Sequence, residues 1–514
     1  MATAVALSLI ALAWALVAAP RGYGEGDASE LTLALALGGA PHPTGYPLYT
    51  LAGHAATAWL HSLGVAWPVA ANAWSALGSA VAIFFLHRLG AAMAGERLPS
   101  RGTERRLLAT IPLVPLLTQP IWSAAATTAE VTSWQAAWSL GAAWTAWRLA
   151  GDSTSHGAGA GAPLRSLQAR LFLWGGVIGL GLAHHATSAL LATPLTIWVI
   201  ARLRGASPSA GPSGAPSRPG GGSFALSLAA GMALPLLSWG WIAYRASHPA
   251  AFQWPLLEPG LGGLIAHLTG RAYGGYLGGF HPSPADARLL ASSIPWLALL
   301  LIALAVTLAA SPRGPRRTFA TAVGAALLAQ GAFVLAYRVP DPSSHLVPIL
   351  ALGAIVLPDL AARIRARAGG AVAALAAAAL LLALLPAWIG ADLAAKAHAE
   401  ETDRLVRDAW RRVPFERGLV VWNNDLYARL RAYQILEGSR PALLVEHPGV
   451  LTWPGPRRRF QEAHGFDPWN GATPTSDAML AQLPDLAARA GGLPAIDFDV
   501  LLREAGAGDE GTSR

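Results

Sequence analysis

GEGDASELTLALALGGAPHPTGYPLYTLAGH, residues 24–54, is the stretch on which the reading of this chain turns. It follows one apolar run directly and sets an acidic pair, Asp27 and Glu30, beside a proline-knotted turn, Pro41-His-Pro-Thr-Gly-Tyr-Pro47. Carboxylates next to a bilayer are costly and therefore point to chemistry at its surface rather than to a plain anchor.

The surrounding composition makes that bilayer real. Hydrophobic residues make up 53% of the chain and charged ones 13%, and the mean hydropathy is +0.41, values that exclude an ordinary soluble domain. Apolar runs of spanning character recur eleven times, at 2–19, 69–93, 107–123, 131–149, 171–184, 187–203, 223–243, 289–309, 318–337, 346–361 and 371–390. The run 171–184 is short, and 48–62 is either a further span or a helix lying in the interface.

Basic residues test this map. Before residue 393 there are 22 Lys and Arg, and 17 of them share one side if the N-terminus is cytoplasmic. The other side keeps only Arg21, Arg245, Arg271, Arg288 and Arg338. That asymmetry follows the positive-inside rule and places Asp27 and the C-terminal tail outside the cytoplasm. The basic charge thus reflects topology, and nothing supports a nucleic-acid partner. Val17-Ala-Ala19 resembles a signal-peptidase site, but the first run lacks a basic leader and the later loops alternate correctly if it is kept as a span. The absence of cysteine excludes disulfides and thiolate metal sites.

The expected fold is therefore an α-helical polytopic membrane protein of about eleven transmembrane helices (residues 1–392, with outer loops 21–68 and 244–288) followed by a small soluble α/β domain, 393–514. The tail carries 15 Lys/Arg and 17 Asp/Glu. Within it, Gly418–Trp422 reads as a strand, Asn424–Glu437 as a helix and Ala442–Glu446 as a second strand, with no Gly-rich phosphate loop between them. Gly151–Gly161 and Gly205–Gly222 read as cytoplasmic loops.

The candidate residues each carry a bland reading beside a chemical one. Asp27 and Glu30 fit a capping box, or else a catalytic base with a second carboxylate one turn on. His42 is either an exposed residue of a re-entrant turn or a donor to phosphate or a sugar hydroxyl; Tyr46 shares that turn. Glu130, three residues after Thr127, suits another capping box. His184 and His185 are adjacent on a helix end and diverge by about 100°, so they do not easily chelate one metal. Arg245, His267, Arg271 and Tyr273, with Trp254 among them, lie on the long outer loop, and a guanidinium there suits an anionic phosphate. At least one of His184 and His185 is a candidate to face the same cavity as Asp27, and Asp341 and His345, the last polar pair, either cap the span 346–361 or bind donor or acceptor.

Several of these motifs together resemble one family. Gly26-Asp27-x-x-Glu30 followed by His42-Pro-x-Gly-Tyr-Pro47, then Ala129-Glu-Val131, Gly181-Leu-Ala-His184, Tyr244-Arg245 with Pro249 and Trp254, His267-Leu-Thr-Gly-Arg-Ala-Tyr273, Tyr337-x-x-Pro340-Asp341 and the tail's Asn424-Asp425 and Arg440-Pro441 look like the transmembrane protein 260-like O-mannosyltransferases, of the C-type glycosyltransferase superfamily. The resemblance implies an enzyme that takes a sugar, mannose by analogy, from a polyprenyl-phosphate donor and gives it to an extracytoplasmic acceptor, a protein Ser/Thr hydroxyl or a glycan. It implies Asp27 as general base, Glu30 or a histidine as its orienter, and Arg245, Arg271 or His184 on the departing phosphate. Inversion at the sugar is expected, and no metal or other cofactor, because the donor already carries its leaving group. The composition suits a bacterial plasma membrane. A transporter or lipid flippase is the rival class; it predicts ionisable groups in mid-span, whereas here nearly all lie at span ends on the outer face.

Overall fold

The computed structural model describes residues 1–94, 102–151, 163–205, 221–253, 257–278, 284–312, 314–339, 344–368, 370–424, 426–469, 475–489 and 491–512. It is a helical bundle capped by one small sheet. Helix α1 (Ala2–Ala18) packs on α4 (Trp67–Ala94), and α4 in turn packs on the helix Thr132–Gly151. Between α1 and α4 come two shorter helices, α2 (Ala28–Leu37) and α3 (Pro47–Ser62). The main core gathers Leu86, Leu89, Trp122, Trp174, Trp198, Phe319 and Leu350 from several helices.

Five helices of the described residues are long and apolar enough to cross a membrane: Trp67–Met93, Gly222–Ser247, Ser293–Ala310, Pro315–Ala336 and Leu346–Arg367. The run 107–123 departs from its reading as one straight span. Helices ending at Leu117 and starting at Pro120 meet at 90°, giving a broken span or a re-entrant loop, and Pro112, Pro115 and Pro120 supply the breaks. The short run 171–184 belongs to a 22-residue helix, Pro163–His184. The segment 48–62 is the 16-residue α3, below the length of about 20 that a span needs, with Trp59 and Leu63 exposed.

Helix α2 is buried on every side, Ser29, Glu30 and Thr32 included, which requires each of its polar groups to find a partner. It stops at Gly38, whose backbone (φ 57°) lies in the left-handed region.

One helix, Gly370–Arg411, runs unbroken through the expected domain boundary near 392 and delivers the chain to the C-terminal sheet. Strands β1 (Gly418–Val421), β2 (Leu443–Glu446) and β3 (Ala495–Asp497) are all parallel, in the order β2-β1-β3. The sequence placed β1 and β2 to within a residue; β3 it did not single out. Strand β1 is central and buried throughout, as parallel strands usually are.

Among the described residues, the helices Pro163–His184 and Gly221–Leu236 approach closely. A Cβ on Gly231 would lie 2.0 Å from the Phe172 carbonyl oxygen, and one on Gly175 2.1 Å from that of Leu228. Such backbone approach is how apolar helices associate where lipid gives no hydrophobic driving force. Gly231→Val is therefore expected to cost about 1–3 kcal/mol and to lower the melting temperature of the detergent-solubilised protein, while the same change at open Gly240 leaves it nearly unmoved.

Candidate active site

Asp27 and Glu30 are one helical turn apart, yet they do not form a capping box. Asp27 is the N-cap residue of α2 but its side chain makes no capping bond, and it stands 57% exposed. Glu30 turns inward and is buried. Its Oε1 accepts the His42 backbone N–H at 2.6 Å, and its Oε2 accepts His42 Nδ1–H at 3.0 Å. The carboxylate thereby ties the proline turn to α2 by two bonds. His42 Nε2 lies 2.9 Å from the Tyr46 hydroxyl and 3.7 Å from Asp27 Oδ2. Since the Tyr46 hydroxyl can donate to the Pro43 carbonyl at 3.4 Å, it is free to accept from a doubly protonated His42.

The electrostatics agree. Burial alone would lower the His42 pKa, but the Glu30 and Asp27 carboxylates beside it raise it to about 10. Burial also pushes the Glu30 carboxyl above the usual carboxylate range, against the pull of His42. The pair keeps a proton between Nδ1 and Oε2 and leaves Asp27 as the accessible carboxylate.

The turn is shaped for this. Gly45 has φ +80°, and a Cβ there would meet His267 Nε2 at 2.6 Å. His267 is buried against the turn, which lowers its pKa to about 3. Tyr46 stacks on His185 with ring centres 5.2 Å apart, and His185 meets His345 edge-on at 6.0 Å. Tyr273 brings the long outer loop to the same place, 6.4 Å from the His42 ring.

Other candidates stand elsewhere or have structural partners. The capping box read at Thr127 and Glu130 does not form. Thr127 ends the helix Pro120–Thr127 and its hydroxyl donates to the Ser123 carbonyl. Glu130 Oε1 accepts the Val131 N–H at 2.8 Å just ahead of the helix Thr132–Gly151, and its charge also reaches His42. His184 Nε2 donates to the Val131 carbonyl at 3.1 Å. Arg245, expected on a phosphate, donates instead to the carbonyls of Gly38, Leu37 and His248 and lies over the Trp241 ring. A cation on the exposed carbonyls of a helix end is favoured by the helix dipole, so its place is the C-terminus of α2. Arg271 is exposed on the outer loop. Asp341 and Trp254 lie outside the described residues.

Contact from the C-terminal domain escaped the sequence reading. The helix Tyr427–Leu436 packs on α2, near enough for the Glu30 and Glu446 charges to bear on Tyr427, and Trp453 lies edge-on to Tyr273 at 6.3 Å. Burial raises the Glu446 carboxyl to about 7, against the pull of Arg431. Tyr427 follows β1 and Glu446 ends β2, and the carboxyl ends of parallel strands are where such sheets bind ligands. That rule is the one signal by which the sequence could have offered them.

Ligand atoms of Asp27, Glu30 and His42 all lie within 4.8 Å of one another, a spacing that suits a metal ion. Oxygen and imidazole donors fit a divalent cation in kind. However, both His42 ring nitrogens already have protein partners, so an ion would have to displace one of them.

Comparison with known proteins places this geometry. Residues 27–208 match the family model of the protein O-mannosyl-transferase TMEM260 N-terminal domain. No curated protein matches the chain. Among solved structures, ArnT from Cupriavidus metallidurans bound to undecaprenyl phosphate is similar, with a TM-score of 0.52 and 13% identity over 88% of this chain and 91% of that one. The Archaeoglobus fulgidus oligosaccharyltransferase tethered to an acceptor peptide has a TM-score of 0.48 and 11% identity, covering 87% of this chain and 64% of that one. The family resemblance is borne out over residues 27–208, and the likeness to ArnT bears out a C-type glycosyltransferase fold.

The Glu30–His42 pair has a pH signature. His42 binds its proton more tightly folded (about 10) than unfolded, where about 6.5 is usual. Its stabilisation is complete below about pH 6.5 and is lost as pH rises through 10. The melting-temperature gap between wild type and Glu30→Gln should be wide at neutral pH and close above pH 10. A gap independent of pH would remove the ion pair from the account.

Proposed function

We propose that the protein is a membrane glycosyltransferase that moves a sugar, mannose by family analogy, from a polyprenyl-phosphate donor to an acceptor hydroxyl on the outer face, a protein serine or threonine in the first instance. The observation that carries this reading is an exposed carboxylate, Asp27, 3.7 Å from a histidine that a buried glutamate holds in place. The TMEM260 domain match and the undecaprenyl phosphate bound to the similar ArnT support the substrate class.

In the reaction the acceptor hydroxyl gives its proton to Asp27. Its oxygen attacks the anomeric carbon as the bond to the lipid phosphate breaks, and the phosphate leaves with the bonding electron pair. One displacement inverts the anomeric centre. Glu30 is too deeply buried to reach the acceptor; its part is to fix His42, and His42 in turn orients Asp27. The His42 cation and exposed Arg271 are the positive groups available to the phosphate, whose charge grows in the transition state. Tyr273, Tyr427 and Trp453 are the aromatic side chains beside the site proposed to contact the sugar or the acceptor.

A polytopic helical fold fits an active site at the bilayer surface, where the lipid tail of the donor can stay in the membrane. The arginine distribution supports a cytoplasmic N-terminus, with the site and the C-terminal domain outside.

In a transfer assay with the full chain and radiolabelled polyprenyl-phosphate mannose, Asp27→Asn should lower kcat by about 10²–10⁴-fold and leave donor binding intact. Wild-type turnover retained by the variant would contradict Asp27 as base; donor binding without transfer to any acceptor would favour a flippase.

Because both His42 nitrogens are already engaged, the reaction is proposed to need no metal. Chelator-washed protein should keep its rate. Loss of turnover with recovery on adding a divalent cation would instead make Asp27, Glu30 and His42 a metal site.

A further inference from the structure

Five successive residues lead the chain from α1 to Asp27, and each is held by the C-terminal part. The Arg21 amide donates to Glu400 Oε1 at 3.1 Å. Gly22 lies so close to Asp403 that a Cβ would meet its carboxylate oxygen at 2.5 Å. Tyr23 is buried edge-on against Tyr433, with the Arg407 guanidinium over its ring. The Gly24 carbonyl accepts Arg429 Nη2–H at 2.8 Å. Glu25 Oε1 accepts the Thr402 hydroxyl at 3.0 Å.

Arg429 stands out among these. It is 0% exposed, and its Nε and Nη1 have no hydrogen-bond partner. The nearest carboxylate oxygen, on Asp403, is 3.9 Å from Nε and is taken by the Tyr433 hydroxyl; the other oxygen takes Arg407. A guanidinium buried with so few partners is a poor stabiliser, because desolvation outweighs what it gains. What it does make is one charged bond, to a carbonyl that also accepts the Ser29 hydroxyl of α2 at 3.0 Å. Through Gly24, then, Arg429 grips the first turn of the helix that carries Asp27 and Glu30.

We infer that Arg429 is a positioning residue: the C-terminal domain sets the catalytic carboxylate in place by clamping the Gly24 carbonyl, three residues before Asp27. The inference rests on the glycosyltransferase reading for its catalytic consequence but not for the clamp itself. A domain joined to the bundle by one continuous helix, Gly370–Arg411, thereby fixes a loop 405 residues earlier in the chain.

The test compares wild type, Arg429→Met and Arg429→Lys as full-length protein, by hydrogen exchange over residues 21–30 and over β1 and β2, and by turnover from polyprenyl-phosphate mannose. In the methionine variant, exchange over 21–30 should quicken by about tenfold, with β1 and β2 unchanged and the melting temperature held or raised. Its kcat should fall by about 100-fold with little change in donor KM, and lysine, which keeps a cationic donor group, should recover part of both. Unchanged exchange over 21–30 would overturn the clamp. So would loss of protection across β1 and β2 in both variants, which would make Arg429 a residue of domain stability alone. If wild type shows no turnover, the glycosyltransferase reading fails while the exchange result still decides the clamp.

Discussion

Burying the Glu30 carboxylate is the constraint on which the site depends. A charge at that depth must be paired and hydrogen-bonded or it would give up its ionisation. The chain answers with the backbone and the ring of His42, twelve residues later. To bring them back, α2 has to end at Gly38 and the chain has to reverse through Pro41–Pro47 before α3 begins. Arg245 then secures the α2 end that this reversal exposes. Of the two carboxylates beside His42, Glu30 is buried and Asp27 is the accessible one.

The bundle and the C-terminal domain serve this arrangement in different ways. The helices meet through small residues such as Gly175 and Gly231, which give rigid, close packing without help from water. The C-terminal domain contributes polar contacts to the loop ahead of Asp27 and an aromatic contact, Trp453 on Tyr273, to the long outer loop. Neither half of the site is complete in its own part of the chain.

Much of this was legible in the sequence, for definite reasons. Apolar runs and arginine asymmetry mark a polytopic chain because the bilayer imposes length and charge rules on every segment. Strands β1 and β2 were legible as short apolar runs between turns. Asp27, Glu30, His42 and Tyr46 could be nominated because they crowd one short stretch. Their roles could not be separated, since a capping box and a buried ion pair share the same spacing. Arg245 looked like an anion site because a lone outer arginine carries no mark of the carbonyls it meets. The break between Leu117 and Pro120 was signalled by prolines inside a run otherwise apolar enough to be taken as straight. Tyr427 and Glu446 could be offered only by their place at the ends of β1 and β2, and Arg429 was beyond reach, because only the fold brings residues four hundred positions apart into contact.

The most direct test of the central claim is the anomeric configuration of the transferred sugar, read by NMR on product formed in proteoliposomes from a polyprenyl-phosphate sugar of known anomer. A single displacement assisted by Asp27 predicts the opposite anomer in the product. Retention would require a covalent intermediate and a second carboxylate within reach of the sugar, which a buried Glu30 does not supply, and would contradict the account.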